Sequence, residues 1–429
     1  MAIQSKMFGE PSMFAAHAHD HAPGLYWDER AASHATPRGL RTGVPVFEGF
    51  GAIRQLAGRR DVPFRRLSHW AQFDDLFDRS SGSYLEYAVR GFFENGGARC
   101  VVVPVCAAGR DTPHLSEALM EPFRQGGIVE DLEDVDLVCV PDATGVAGAV
   151  YDIQARALEH CQRMGNRFAI LDASTGTSDV PSIVRQRDAL LSSDGALYYP
   201  WVHVESRASG EATTGTVAKY GARLGQEVTR AVPPCGHIAG IYARTDARVG
   251  VQKAPANEII EGIMNLSIDL SDGEQAELNE AGVNCLRSLP GRGIRVWGAR
   301  TLSGQPDWIY VNVRRLFLAM ARWFQQNMSD LLFEPQNPHL WEKIQHRASG
   351  YCRDLFDQGA LAGQSPGDAF IVKCDAETNP HATREAGLVI AEIGLAVVVP
   401  AEFVVVRVTQ SASGVTVTEP TGSLKTMRR

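Results

Sequence analysis

The feature that most constrains the fold is a repeated order of short apolar segments and amphipathic segments between residues 43 and 248. The apolar segments have hydrophobic residues at consecutive positions, which is typical of strands buried on both faces of a sheet. Predicted strands cover residues 44–50, 99–105, 135–140, 168–171 and 197–204, and predicted helices cover 83–96, 149–164 and 181–191. This order predicts an α/β domain with a mostly parallel sheet covered by helices on both faces.

One predicted helix start has a specific signal. Ser83 and Glu86 have the spacing of a capping box, in which a hydroxyl and a carboxylate each accept a hydrogen bond from a free backbone amide. We therefore expect this pair to begin the helix that ends at Gly96 and Gly97.

The pattern changes after about residue 280. Two predicted strands flank a Pro-Gly-Arg-Gly turn, two long helices follow, and three strands come last, which is an α+β order and predicts a separate domain. The strands cover 283–289, 294–297, 370–374, 388–399 and 403–408, and the helices cover 310–328 and 337–359. We divide the chain into an N-terminal arm (1–42), an α/β domain (43–280), a C-terminal domain (281–408) and a C-terminal arm (409–429).

The composition limits the class of function. The chain has 429 residues and a formal net charge of −8, which argues against a dedicated nucleic-acid binder. Its eight cysteines include no CxxC pair, which favours buried free thiols in a reducing compartment over a zinc site. The N-terminus lacks the apolar core of a signal peptide, and charges and Pro400 interrupt the apolar window 387–408. We expect a soluble protein that is made in the cytoplasm.

Motifs for cofactor chemistry are absent from the sequence. It has no GxxxxGK[ST] phosphate loop, no GxGxxG before a helix and no HExxH, so we predict no cofactor and no catalytic metal. The HAHDH tract at 17–21 has histidines at alternate positions, which could gather a metal if the segment were extended. We interpret the tract instead as part of a mobile solvated arm that binds metal adventitiously.

One set of residues suggests an alternative function, a subtilisin-type serine hydrolase. Asp172 ends an apolar strand, Ser178 lies in a Gly-Thr-Ser tripeptide, and His237 lies in a GHIAG segment that resembles a catalytic histidine helix. A triad needs the aspartate to orient the histidine and the histidine to accept the serine proton. The chain order here is Asp, Ser, His, whereas the subtilisin order is Asp, His, Ser, so we interpret Asp172 and His237 as structural residues.

The predicted helix 310–328 carries Arg314, Arg315 and Arg322 and no acidic residue. A solvated face is the ordinary explanation for such charges, and a contact with an acidic partner is the alternative. Residues 315 and 322 are seven apart and share nearly one face of a helix, whereas residue 314 lies about 100° from 315.

Several long strings resemble one family. The strings are 83–103 (SYLEYAVRGFFENGGARCVVV), 197–202 (LYYPWV), 233–257 (PPCGHIAGIYARTDARVGVQKAPAN), 283–301 (VNCLRSLPGRGIRVWGART), 310–317 (YVNVRRLF), 333–335 (FEP) and 398–406 (VVPAEFVVV). They resemble the tail sheath proteins of contractile phages and of phage-tail-like contractile injection systems. The resemblance extends from about residue 22 to residue 408, and it implies a subtilisin-like α/β domain without the catalytic residues.

The resemblance implies that the function is structural and mechanical. Subunits of this family stack as rings, expected to be hexameric, into a helical sheath around an inner tube, and the sheath contracts to drive the tube through a target envelope. The α/β domain is expected to face outward and the C-terminal domain to face the tube. Expected partners are other copies of the chain, the inner tube protein, and baseplate and terminal cap proteins, with no direct nucleic-acid or membrane partner. The particle would be a phage tail or a phage-tail-like device.

The resemblance also implies roles for the arms. In this family the terminal arms add strands to the C-terminal domains of neighbouring subunits by β-augmentation. The residues that we assign to these strands are Leu25, Tyr26, Trp27, Val415 and Val417. Because the C-terminal domain lines the lumen of the sheath, we also expect the basic helix to contact acidic groups of the inner tube through its three arginines.

Overall fold

The computed structural model describes residues 40–54, 63–80, 82–107, 111–174, 179–206, 229–331, 333–398, 403–411 and 414–418. The strands in these residues are β1 (Pro45–Ile53), β2 (Arg65–Leu67), β3 (Phe77–Arg79), β4 (Cys100–Val105), β5 (Leu137–Cys139), β6 (Phe168–Asp172), β7 (Gly195–Tyr199), β8 (Val202–Glu205), β9 (Thr229–Val232), β10 (Asn265–Leu266), β11 (Val283–Leu289), β12 (Gly293–Trp297), β13 (Phe370–Lys373), β14 (Val389–Ala396), β15 (Phe403–Ser411) and β16 (Gly414–Thr418). The helices are α1 (Ala71–Leu76), α2 (Leu85–Glu94), α3 (Thr112–Met120), α4 (Val150–Met164), α5 (Val180–Ala189), α6 (Cys235–Arg248), α7 (Asp272–Glu280), α8 (Val311–Asn327), α9 (Pro338–Asp357), α10 (Pro366–Ala369) and α11 (His381–Glu385). Short 3-10 turns lie at Glu121–Phe123, Pro141–Gly145, Pro306–Trp308 and Ser329–Leu331.

A sheet of nine strands in the described residues carries most of the fold. Its order is β12-β11-β7-β6-β5-β1-β4-β2, and β3 pairs with β1. The strands from β11 to β4 are parallel, whereas β12, β2 and β3 are antiparallel to their neighbours. The predicted mostly parallel sheet is therefore confirmed.

Helices cover both faces of this sheet. On one face, α2 and α6 pack over strand residues such as Phe47 and Phe168. On the other face, α3, α4, α5 and α7 pack over residues such as Val101 and Val138. Successive side chains of a strand point to opposite faces, so strands that are apolar at every position supply both cores at once.

The predicted domain boundary at residue 280 is wrong. We assigned β11 and β12 to the C-terminal domain, but β11 pairs in parallel with β7 and extends the large sheet. The described residues all belong to one compact unit. A hairpin with this pattern satisfies its own local hydrogen bonds wherever it lies, so the sequence around it does not specify which sheet it joins.

Two local predictions also need correction. Helix α2 begins after Tyr84 without a side-chain cap, so the capping box of Ser83 and Glu86 does not form. The Ser83 hydroxyl instead donates a hydrogen bond to Asp142 Oδ2 at 2.7 Å and accepts one from the Leu85 amide at 3.0 Å. The predicted strand 197–204 is divided into β7 and β8 near Pro200, which has no amide hydrogen to donate to a ladder.

The C-terminal part is an antiparallel sheet with the order β13-β14-β15-β16, packed with α8 and α9. Helix α8 lies between two cores. Val311 and Leu318 of this helix belong to the core under α2 and α6, whereas Phe317 and Phe324 belong to the C-terminal core. A smaller antiparallel sheet has the order β10-β8-β9.

Candidate functional site

Asp172 lies at the end of β6, at the carboxyl edge of the parallel strands. Its side chain is buried, and its Oδ1 accepts a hydrogen bond from the Cys235 amide at 2.8 Å. This amide is at the first turn of α6, where the free amides and the helix dipole favour an acceptor. Burial nevertheless raises the pKa of Asp172 to about 7, against an ordinary value of 3.8, although the contacts with Cys235 oppose the increase.

His237 is buried in the contact between α2 and α6. Neither ring nitrogen has a hydrogen-bond partner among the described residues, and the ring packs against Gly91. Burial, with a smaller effect of Arg90, lowers the pKa of His237 to about 4, so the ring is neutral at physiological pH. Ser178, the third member of the hydrolase alternative, lies outside the described residues. Asp172 therefore holds a helix terminus and does not orient His237.

We predict that Asp172→Asn removes one contribution to the pH dependence of stability, namely a loss of stability as pH rises. The folded chain keeps the Asp172 proton up to a pH of about 7, whereas the unfolded chain releases it near 3.8, so this group lowers stability as pH rises through that window. Asparagine keeps an oxygen acceptor for the Cys235 amide but does not titrate. Urea unfolding between pH 4 and pH 8 should show the variant gaining stability relative to wild type as pH rises.

The wild-type chain contains the opposing contribution of His237, whose stabilisation is lost as pH falls from 6.5 towards about 4. The difference between the Asp172→Asn curve and the wild-type curve removes this shared term. Parallel curves over the whole pH range would show that the carboxyl group of Asp172 is not protonated in the folded chain.

The packing of α2 against α6 depends on three glycines that the sequence analysis did not single out. A Cβ on Gly236 would overlap the backbone of Ala88, and a Cβ on Gly240 would lie 2.5 Å from the Phe92 carbonyl oxygen. Gly91 on the facing helix lies against His237 in the same way. The spacing of Gly236 and Gly240 on one face of α6 is the signal that could have predicted this close approach.

Arg314 connects α8 to the amino edge of the large sheet. Its Nη2 lies 2.7 Å from Oδ1 of Asp194, the residue directly before β7, and both side chains are almost fully buried. The guanidinium also lies over the ring of Trp308, with its carbon 5.0 Å from the ring centroid. A buried pair of this kind is stable only when both charges are present, because each would be costly to bury alone.

Arg315 and Arg322 share a second group of buried charges. Arg315 Nη2 lies 2.6 Å from Asp246 Oδ2 and 3.5 Å from Asp136 Oδ2, and Arg322 Nη1 lies 3.7 Å from Asp136 Oδ1. Asp136 also accepts the amide hydrogen of Val44 at 2.6 Å, just before β1. Burial opposes the charge of Arg315, but the carboxylates of Asp246 and Asp136 outweigh burial and raise the pKa of Arg315. Burial raises the pKa of Asp246, and Arg315 opposes that increase.

The predicted contact of Arg314, Arg315 and Arg322 with the inner tube is therefore wrong. Their exposed fractions are 6%, 3% and 3%, and all three pair with carboxylates of their own chain. The apolar positions of α8 predicted one buried face, whereas this helix is buried on two sides between two cores. The signal that was missed is an aspartate directly before an apolar strand, at positions 136 and 194.

The C-terminal sheet contains one of the two predicted arm segments. β16 pairs with β15 of the same chain, with Val415 opposite Gln410 and Val417 opposite Val408. The assignment of Val415 and Val417 to exchange with a neighbouring subunit stays a prediction. The predicted N-terminal strand, Leu25 to Trp27, and the HAHDH tract lie outside the described residues.

In the described part of the chain, every helix is too short or too polar to span a bilayer. No three His, Cys, Asp or Glu side chains of the described residues form a group that could hold a metal ion.

Comparisons with known proteins address the family directly. Residues 129–302, which include β5 to β12, match the family described as the phage tail sheath protein central domain. The chain is also similar to a solved structure of the anti-feeding prophage helical sheath in its contracted state. The two are 30% identical with a TM-score of 0.67, and the match covers 89% of this chain and 97% of that one. The chain belongs to the tail sheath family.

Curated relatives agree with this membership over shorter segments. A tail sheath protein of Vibrio phage KVP40 is 27% identical over 168 residues, which is 38% of this chain and 24% of the phage protein. A putative prophage major tail sheath protein of Pseudomonas aeruginosa is 28% identical over 191 residues, which is 40% of this chain and 44% of that protein. The chain thus spans less than half the length of either curated relative. The expected family of contractile sheath proteins is confirmed.

Proposed function

We propose that this sheath-family chain is the structural and mechanical subunit of a contractile sheath. The observation that carries the proposal is its similarity, over nearly the full length of both chains, to the contracted sheath of the anti-feeding prophage. In this proposal the subunits polymerise in the cytoplasm as stacked, hexameric rings around an inner tube, together with baseplate and terminal cap proteins. Contraction then drives the tube through a target envelope.

The proposed motion needs a subunit that moves as one body. The buried pair Arg314–Asp194 joins α8, and with it the C-terminal core, to the edge of the large sheet, and the buried pair Arg315–Asp246 joins α8 to α6. Contraction would then be a rigid-body rearrangement of subunits that increases the surface buried between rings. A gain on the order of 200 Å² of apolar surface at about 25 cal/mol per Å² gives about 5 kcal/mol per subunit as an upper bound. Such a reservoir, released from a kinetically trapped extended state, does not require a nucleotide in the sheath.

The C-terminal sheet supports the proposal that terminal arms join neighbouring subunits. Within the described residues, β13 pairs on one side only, with β14, and β16 pairs on one side only, with β15. A strand with one unpaired edge offers backbone donors and acceptors to a strand from another chain. Two exposed apolar side chains lie in the same half of the chain, Ile371 on β13 at 57% and Phe333 at 89%. In this proposal a neighbouring subunit covers these side chains.

The orientation of the two halves is part of the same proposal. The α/β part would lie on the outside of the sheath, and the C-terminal part would lie next to the tube. The description of the α/β part as subtilisin-like stays a prediction. The serine hydrolase alternative is not supported, because Asp172 binds the terminus of α6 and the relatives are sheath proteins.

We predict that the arms are required for polymerisation and dispensable for folding. Deletion of residues 1–30, or of residues 412–429 after the end of β15, should leave a chain that unfolds cooperatively in urea but forms no tubes in negative-stain micrographs. The reason is that short terminal strands bury little core of their own, whereas main-chain pairing with a neighbour links subunits. The full-length chain, prepared in parallel, is the control and should form tubes.

The two deletions separate the parts of this proposal. Tubes from the full-length chain and from both truncated chains would refute strand exchange while leaving the sheath function intact. A full-length chain that stays monomeric under all assembly conditions would contradict the sheath function itself.

A further inference from the structure

A basic patch lies where α6 ends beside the edge strand β12. It consists of Arg244, Arg248, Arg292 and Arg295 and is built around the backbone of residues 257–259. Arg244 Nη2 donates to the Ile259 carbonyl at 2.7 Å, and Arg295 Nη1 donates to the Asn257 carbonyl at 2.6 Å. The segment itself is held on β12, because the Asn257 amide donates to the Val296 carbonyl at 2.7 Å.

The basic patch keeps an excess of positive charge. Among the described residues, the carboxylate that forms ion pairs with the patch is that of Glu258, which lies 2.5 Å from Arg248 and 3.7 Å from Arg244, so in this part of the chain four guanidiniums face one carboxylate. Hydrogen bonds to carbonyl groups fix the guanidiniums without neutralising them. Two aliphatic side chains of the same segments, Val249 and Ile259, are 47% and 38% exposed. Fixed arginines beside exposed apolar groups are the composition of a protein–protein contact.

An acidic ridge lies on the other face of the large sheet. It consists of Asp269, Asp272, Glu274, Glu277 and Glu280, all exposed, on α7 and the segment before it. Among the described residues, Arg287 forms an ion pair with the ridge, 2.7 Å from Asp272. Glu274 accepts hydrogen bonds from Ser271 in a capping box, which lowers the pKa of Glu274 and keeps it charged. Five carboxylates against one guanidinium leave the ridge strongly negative.

The two surfaces of one chain face apart. Helix α6 contributes Ile238 and Ile241 to the core on one face of the sheet, whereas α7 contributes Leu278 to the core on the opposite face. One chain therefore does not place its own ridge on its own patch. The chain has a net charge of −8, so a positive patch on one copy meets an excess of negative charge on a second copy.

We propose that the basic patch of one subunit binds the acidic ridge of another copy of this chain, and that this contact is part of the sheath lattice. The inference rests on the proposed sheath function and names a contact within it. Because the two surfaces differ, the contact is head-to-tail. A head-to-tail contact builds a closed ring when its rotation closes and an open helical filament when it does not. The attraction is between the arginines of the patch and the carboxylates of the ridge. Salt screens this attraction, so polymerisation weakens as the salt concentration increases.

The test uses two full-length variants with reversed charge. The patch variant is Arg248→Glu with Arg292→Glu, and the ridge variant is Glu277→Lys with Glu280→Lys. Each variant alone brings like charges together, and its critical concentration for polymerisation should rise by about tenfold or more. A mixture of the two should polymerise again, because each reversed surface then meets an opposite charge on the other variant. A single chain with all four substitutions should also polymerise.

The control variant reverses an exposed pair elsewhere, Arg156→Glu with Glu159→Lys on α4, and should polymerise as wild type does. Equal urea unfolding curves for the variants verify that folding is unchanged.

If both reversed variants polymerise as wild type does, or if the mixture fails to polymerise while wild type forms tubes, this contact is wrong and the sheath function stands. If wild type stays monomeric, the sheath function fails. In that case the sedimentation of the mixture is compared with the sedimentation of each variant alone. If the mixture associates no more than the single variants do, the proposed contact is wrong.

Discussion

Arg315→Met is expected to lower the free energy of unfolding by about 3–5 kcal/mol, the range measured when one partner of a buried ion pair is removed. Methionine retains most of the side-chain volume but leaves Asp246, which is 2% exposed, with a buried charge and no cation at 2.6 Å. Asp136 loses one of its two guanidinium neighbours as well. Urea unfolding at neutral pH measures the change directly.

Two further variants identify the cause of this loss. Arg347→Met removes a bidentate pair with Asp330 that is largely exposed, so it should cost at most about 1 kcal/mol. The double change Arg315→Met with Asp246→Leu leaves neither charge of the closest pair buried alone, so it should recover most of the lost stability. A loss below about 1 kcal/mol for Arg315→Met itself would show that the charges of this group are solvated in the folded chain.

Gly236→Ala is expected to destabilise the chain by about 3 kcal/mol or more, or to abolish soluble expression. The new methyl group would overlap the backbone of Ala88, and a helix backbone has no alternative rotamer that could relieve the overlap. Helices α2 and α6 would have to separate, which would open the core that contains Phe92 and Ile238. Thermal and urea unfolding of the purified variant measure the loss.

Gly350→Ala is the matched control for this experiment. Gly350 also lies within a helix, α9, but a Cβ at this position would meet no atom within 4 Å. The same substitution should therefore stabilise the chain by about 0.5–1 kcal/mol, because alanine loses less backbone entropy in a helix. Similar losses in the two variants would mean that helix propensity, and not the contact between α2 and α6, determines the result.

The sequence predicted most of the local elements. The apolar runs became β1, β4 and β6, and the helices α4, α8 and α9 begin and end within a few residues of their predicted limits. Asn337 accepts the Leu340 amide hydrogen at 3.0 Å and caps the start of α9, directly before Pro338. These features depend on periodicity and on residues close in the chain, so one sequence contains the needed information.

The predictions that failed required knowledge of distant partners. The three arginines of α8 gave the pattern of a solvated face, because the aspartates that neutralise them are at least 69 positions away in the chain. Ser83 had the spacing of a cap but donates to Asp142, 59 positions away. A local sequence pattern predicts that a charged side chain is exposed to solvent, because the pattern contains no information about a buried partner far away in the chain.

By itself, the sequence determined the alternation of strands and helices, the parallel character of the sheet and the family of the chain, because apolar periodicity and long matching strings are local properties. Only the tertiary structure decided that β11 and β12 complete the large sheet, that α8 is buried on two sides, and that Asp172 caps α6 instead of orienting His237. Each of these outcomes depends on which distant surfaces meet. Burial changes the free energy of a charge or a hydrogen bond by amounts that no neighbouring residue in the sequence specifies.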